Sequence, residues 1–180
     1  MAEIKNKIIT IFGSSFPKPG ENEYEFAYKL GKKLGEHGFA ICNGGFYGTM
    51  EASAKGAVAS GSSTIGITID SFGLNANKFI QLEIRCKNLF ERITKLIELG
   101  DGYIVLKGGT GTLLELSAVW ELANKKMIKK KPIAAHKDYW NDLVRLIDKR
   151  MIQEKRDKGI VFLSNDIDEL LFYIKSNLEK

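Results

Sequence analysis

A three-layer α/β fold, with a mainly parallel sheet flanked by helices on both faces, is the architecture this sequence predicts. Three observations carry that expectation. Short apolar strand candidates alternate with amphipathic helical stretches along the 180 residues. The strand candidates are apolar at successive positions, as strands covered on both faces are. Glycine-bearing turns follow three of them, at residues 13–15, 43–48 and 107–111. In open parallel sheets ligands bind beyond the carboxyl ends of the strands, so these turns are expected to gather along one edge.

The elements follow in order. Ile8-Ile9-Thr10-Ile11-Phe12 is the first strand and runs into Gly13-Ser14-Ser15. Phe26, Leu30 and Leu34, four apart, predict a helix over residues 22–37, stopped by Gly38. Phe39-Ala40-Ile41-Cys42 is a second strand, ending in Asn43-Gly44-Gly45. An alanine-rich helix over residues 49–60 ends at Gly61, and residues 64–69 form strand three. Residues 70–78 read as a loop, and residues 79–85 can hold a short strand. Leu89, Ile93, Leu96 and Ile97 make the stripe of a helix over 88–99. The strand Tyr103-Ile104-Val105-Leu106 comes next, then a helix over 112–126. A strand at 132–135, a helix at 140–150, a strand at 160–163 and a helix at 167–178 complete the pattern, with a polar connection at 151–158. No repeat or linker interrupts it, so residues 1–180 are expected to form a single domain.

Composition narrows the class. The hydrophobic share is 44% and the charged share 27%, ordinary for a globular protein. No apolar run approaches the roughly 20 residues of a membrane span, and the polar start does not read as a signal peptide. A cytoplasmic protein without a membrane partner is expected. Cys42 and Cys86 lack metal-type spacing and read as reduced thiols, so neither a metal nor a cofactor is expected. The net charge is +5. Its densest cluster, Lys125-Lys126-Met127-Ile128-Lys129-Lys130-Lys131, reads first as cations at a helix C-terminus, ahead of a polyanion contact. Nucleic acid is therefore not the expected partner.

The most informative stretch joins strand, glycine turn and helix: Tyr103-Ile104-Val105-Leu106-Lys107-Gly108-Gly109-Thr110-Gly111-Thr112-Leu113-Leu114-Glu115. Such a junction brings free backbone N–H groups and the positive end of a helix toward an anion. A phosphate-bearing small molecule is the implied ligand. Neither G-x-x-x-x-G-K-[ST] nor G-x-G-x-x-G occurs, which removes the usual NTPase and NAD-binding readings. Glu115, expected in the first turn of its helix, has two readings. Thr112-x-x-Glu115 is a capping-box pattern, and a carboxylate beside a phosphate site also invites chemistry. Gly44, Gly45 and Gly48 form either a tight turn alone or a turn that contacts the same ligand.

Gly108-Gly109-Thr110-Gly111-Thr112-Leu113-Leu114-Glu115 resembles the P-G-G-x-G-T-x-x-E signature of the LOG family, the Lonely guy-type cytokinin-activating enzymes once labelled lysine decarboxylase-like. The likeness covers roughly residues 8–150. It implies a Rossmann-like fold and a phosphoribohydrolase that splits a nucleoside 5′-monophosphate into free base and ribose 5-phosphate. It also implies a homodimer, for which Phe90, Leu113, Leu116 and Trp120 are candidate contacts. The paired functional residues it points to are Arg92, in Phe90-Glu91-Arg92-Ile93, and Glu115. Gly108, Gly109, Thr110, Gly111 and Thr112 correspond to its phosphate loop, and Gly13, Ser14, Gly44, Gly45 and Gly48 to its neighbouring turns. Three positions depart from the pattern. Lys107 stands in place of proline and Ile93 in place of lysine. Gly44-Gly45-Phe46-Tyr47-Gly48-Thr49-Met50-Glu51-Ala52 continues in a way that resembles the molybdenum-cofactor carrier proteins of the same superfamily. The alternative is accordingly a non-catalytic binder of a nucleotide-like ligand or a molybdenum-cofactor carrier.

Overall fold

A computed structural model describes residues 6–70, 73, 75–129 and 131–178 of the chain. Its elements run β1 (Ile8–Phe12), α1 (Asn22–Glu36), β2 (Ala40–Asn43), α2 (Thr49–Ala59), β3 (Thr64–Ile69), β4 (Leu82–Cys86), α3 (Leu89–Leu99), β5 (Gly102–Val105), α4 (Thr110–Asn124), β6 (Ile133–His136), α5 (Lys137–Gln153), β7 (Val161–Ser164) and α6 (Ile167–Leu178). The strands form one sheet in the order β4-β3-β2-β1-β5-β6-β7. All six pairings are parallel. The ambiguous 79–85 stretch thus supplies an edge strand, β4.

Successive strand residues face opposite layers, which explains the continuous apolar runs. On one face Ile9, Ile11, Ile41 and Ile104 pack against Tyr24, Ala27 and Leu30 of α1, Ala52 of α2 and Leu170 of α6. On the other, Phe12, Ile67, Tyr103 and Val105 meet Ile93 and Leu96 of α3, Leu116 and Trp120 of α4, and Trp140 of α5. Each fully buried Ile or Leu side chain stabilises such a core by about 1.5–3 kcal/mol. Leu116 and Trp120, read from sequence as candidate dimer contacts, belong instead to this core, because they lie on the sheet-facing side of α4. Phe90 and Leu113 are exposed.

Strand order reverses between β1 and β5. In their register Phe12 lies opposite Val105, so Gly13 and Leu106 leave the sheet together. The expected gathering of turns is present. The Ser14 N–H donates to the Lys107 carbonyl at 3.1 Å, and the Thr49 N–H donates to the Ser14 carbonyl at 2.9 Å. The turns after β1, β2 and β5 are thereby tied into one rim.

Two helices begin earlier than their local patterns predict. The N-cap of α4 is Gly109, with extended backbone, and the Leu113 N–H bonds the Gly109 carbonyl at 3.0 Å. Glu115 is therefore the sixth helical residue and lies outside the first turn. The Thr112–Glu115 capping box does not form, because Thr112 is already inside the helix. α5 starts at Lys137 rather than Trp140, since the Asp138 N–H is capped by Asn165 Oδ1 at 3.0 Å from across the fold. The basic cluster after α4 follows the helix-end reading at two positions. Lys125 sits 3.8 Å from Glu121, and Lys131 Nζ donates to the Ile97 carbonyl at 3.2 Å near the end of α3. Lys130 of that cluster, and residues 71, 72 and 74 of the expected loop, lie outside the described residues. Among the described residues no helix is long and apolar enough to cross a membrane.

Candidate functional site

The two charged side chains singled out in the sequence meet. Arg92 Nη1 lies 3.5 Å from Glu115 Oε1, bringing α3 and α4 together beneath the rim. Both residues are buried, at 7% and 8% exposure. Arg92 is in the first turn of α3, which Asn88 caps by accepting from the Glu91 N–H at 2.9 Å. The guanidinium also donates through Nε to the Ile67 carbonyl at 2.7 Å. Its Cζ stands 5.8 Å from the Phe46 ring centre, a cation–π arrangement. The arginine is thus oriented by a strand carbonyl, a carboxylate and an aromatic face.

Gly44 shows why that turn is glycine. A Cβ there would lie 1.8 Å from Arg92 Nη2, so the backbone presses directly on the guanidinium. Gly48 answers a second demand: its φ is +66°, and a Cβ would lie 2.3 Å from the Ser14 carbonyl oxygen. The 44–48 turn therefore touches Arg92 on one side and the Gly13-Ser14 loop on the other. Asn77, which sequence reasoning passed over inside a loop, holds this turn in place. Its N–H and side-chain Nδ2 both donate to the Gly45 carbonyl, and Nδ2 also reaches the Phe46 carbonyl at 2.6 Å. A lone buried asparagine in a Gly/Asn/Ser segment leaves little signal in sequence.

The 108–112 loop divides by role. Thr112 is buried, and its Oγ1 occupies the space where a Gly108 Cβ would be. Gly109, Thr110 and Gly111 are exposed at the start of α4. A Cβ at Gly109 or Gly111 would meet nothing within 4 Å, so packing does not require glycine at either. Their N–H groups belong to the first helical turn, where intrahelical acceptors are lacking. Two aromatic residues of α5 brace the loop. Tyr139 donates its hydroxyl to the Gly108 carbonyl at 2.7 Å, and Trp140 Nε1 donates to the Leu106 carbonyl at 2.9 Å. Lys107 points away, to Glu23 of α1 at 3.8 Å.

Burial sets the electrostatics. It pushes the Glu115 carboxyl up to about 7, with the Arg92 charge pulling in the opposite direction. The same burial lowers Arg92, and Glu115 counteracts it. Glu115 is thereby poised to exchange a proton near neutral pH. Cys42 is fully buried and its thiol is pushed up to about 12, so it behaves as a small core residue. Among the described residues no group of three or more His, Cys, Asp or Glu side chains is placed to hold a metal.

A parallel sheet with a strand-order reversal, glycine turns at its carboxyl edge and a buried Arg–Glu pair below them define a Rossmann-like protein with a glycine-lined rim. The chain belongs to the SLOG cluster4 family, whose model matches residues 6–170. This LOG-like assignment agrees with the resemblance carried by the glycine motif. The pyrimidine/purine nucleotide 5′-monophosphate nucleosidase of Escherichia coli is 30% identical over 125 residues, 64% of this chain but only 27% of that relative's length. The cytokinin riboside 5′-monophosphate phosphoribohydrolase of Rhodococcoides fascians is 23% identical over 94% of this chain and 90% of its own. In structure, the molybdenum cofactor carrier protein of Chlamydomonas reinhardtii superposes with a TM-score of 0.74 at 20% identity, covering 98% of this chain and all of that one. That likeness is one of fold.

Proposed function

We propose that this chain hydrolyses the N-glycosidic bond of a nucleoside 5′-monophosphate, giving a free base and ribose 5-phosphate. The observation that carries the reading is the Arg92–Glu115 pair, buried together directly below the glycine turns. In this reading the phosphate sits on the N–H groups of residues 109–112 at the positive end of α4. Gly13, Ser14, Gly44, Gly45 and Gly48 form the rest of the rim around the sugar and base. Glu115, as carboxylate, stabilises the cationic character that grows at C1′ and takes a proton from the attacking water. The water oxygen bonds C1′, the C1′–N electron pair leaves with the base, and the proton that Glu115 took from water passes to the base nitrogen, directly or through solvent. Arg92 orients the carboxylate and offers a cation to the substrate. The relatives named as nucleosidase and phosphoribohydrolase support the reaction class. A purine of the adenine type is the first base to test.

A second reading is binding without turnover, in the manner of the carriers that share the fold. What favours it is that Arg92 is already engaged by Ile67 and Glu115. One experiment separates the two. Purified protein is incubated with a panel of nucleoside 5′-monophosphates, and base and ribose 5-phosphate are quantified by chromatography. Glu115→Gln is expected to slow release by about 10²–10⁴-fold. Nucleotide binding with no release from any panel member would replace the hydrolase reading with the carrier reading. The proposal includes action in the cytoplasm as a homodimer, through the exposed Phe90 and Leu113, and sedimentation equilibrium reads the assembly state.

A further inference from the structure

Across the sheet edge from Arg92 lies a cavity of about 140 Å³. It is lined by Asn22, Glu23 and Phe26 of α1, by Leu106, Lys107 and His136, and by Thr49 at the start of α2. It sits beside the β1–β5 strand reversal, where open α/β sheets take their ligands. It shares no residue with the Arg92–Glu115 pair, which belongs to the layer of α3 and α4 on the opposite face. Its volume suits one ring system, and Asn22 and Glu23 also line a neighbouring cleft of about 500 Å³ with Ser14, Phe16 and Pro17, so the cavity continues toward the Gly13-Ser14 turn.

The lining narrows the chemistry. Phe26 and Leu106 give apolar surface, and the Phe26 ring meets His136 edge-on at 5.3 Å. Glu23 and Lys107 stand 3.8 Å apart and join the two walls. Glu23 opposes an anion in the cavity, and Lys107 opposes a cation. Asn22 adds an amide that both donates and accepts.

We propose that this cavity is a second subsite, separate from the Arg92–Glu115 pair, for a neutral heteroaromatic ring of nucleobase type. The ring lies against Phe26 and Leu106, and its edge exchanges hydrogen bonds with Asn22 and Glu23. The subsite stands on the cavity alone and does not depend on hydrolysis. The ring can come from a free base or from the base of a bound nucleotide.

Calorimetric titration tests it with adenine, uracil, adenosine 5′-monophosphate and ribose 5-phosphate as separate probes. At least one free base is expected to bind the wild-type protein. Asn22→Ala with Glu23→Gln, both at the solvent-facing start of α1, is expected to weaken that binding about tenfold, the scale of one or two lost hydrogen bonds. The same pair of changes leaves ribose 5-phosphate affinity unaltered, and Glu115→Gln leaves base affinity unaltered. A parallel loss of adenosine 5′-monophosphate affinity identifies the nucleotide as the source of the ring; no such loss identifies the free base. The proposal is overturned if neither base binds at millimolar concentration. It is equally overturned if base binding survives the Asn22/Glu23 changes at full strength. Thermal melts confirm that each variant is folded.

Discussion

The two ion pairs at the carboxyl edge of the sheet are built alike and behave differently. Arg92–Glu115 joins α3 to α4, is about nine-tenths buried on both sides, and lies under the 44–48 turn. Lys107–Glu23 joins the turn after β5 to α1, with side chains 35% and 40% exposed, beside an open cavity. Distances are similar, 3.5 and 3.8 Å. The difference is water. In the dry pair, desolvation outweighs Coulomb attraction and moves the carboxylate toward neutrality. In the wet pair, solvent screens both charges, so the pair can shape a pocket while contributing little to stability.

The largest expected effect comes from breaking the dry pair. Arg92→Ala or Glu115→Ala leaves one buried charge alone and should destabilise by about 3–5 kcal/mol in denaturant melts. A loss below about 1 kcal/mol for both would mean that water reaches the pair and that the contrast is false.

Next comes its pH dependence. The folded Glu115 carboxyl titrates near 7, above the ordinary 4.5, so the folded state holds a proton that the unfolded chain releases between those values. Stability from this group is therefore highest below pH 4.5 and declines as pH rises toward 7, by up to about 3 kcal/mol. Glu115→Gln should remove that slope, and melts across pH 4–8 would read it. Activity should follow the opposite trend and rise through about pH 7 as the carboxylate ionises.

Gly44→Ala tests the turn that seals the pair. Its methyl would drive into the Arg92 guanidinium, so a loss of about 1–3 kcal/mol is expected. Base release should fall with it, and unchanged turnover at lowered stability would separate the turn from the chemistry. The smallest effect belongs to the wet pair. Lys107→Met should change stability by less than about 1 kcal/mol, with an effect that fades as salt is added. A larger loss would show that this pair is also load-sharing in the fold.

Much of this was legible in the chain. Strand and helix order followed from apolar runs and four-residue spacing, because each element must bury one face or both. The glycine motif marked the junction where β5 turns into the start of α4. Local patterns failed where a distant residue supplied the deciding contact. Asn165 extends α5 by capping Asp138, and Gly109 begins α4 early enough to undo the capping box that Thr112 and Glu115 suggest. Leu116 and Trp120 looked like interface residues until the phase of α4 turned them toward the sheet. Asn77 gave no periodic or motif signal, yet it fastens the turn over Arg92.

By itself, then, the sequence determined the alternating elements, the parallel layered class, the glycine rim and the identities of Arg92 and Glu115, because these depend on local pattern and residue type. Tertiary structure alone decided that the two charges meet in a dry space, that Gly44 presses on one of them, and that Lys107 turns aside toward Glu23. Those outcomes depend on which strands are neighbours and which atoms are removed from water. Desolvation is a property of the assembled fold, and no single segment of the chain carries it.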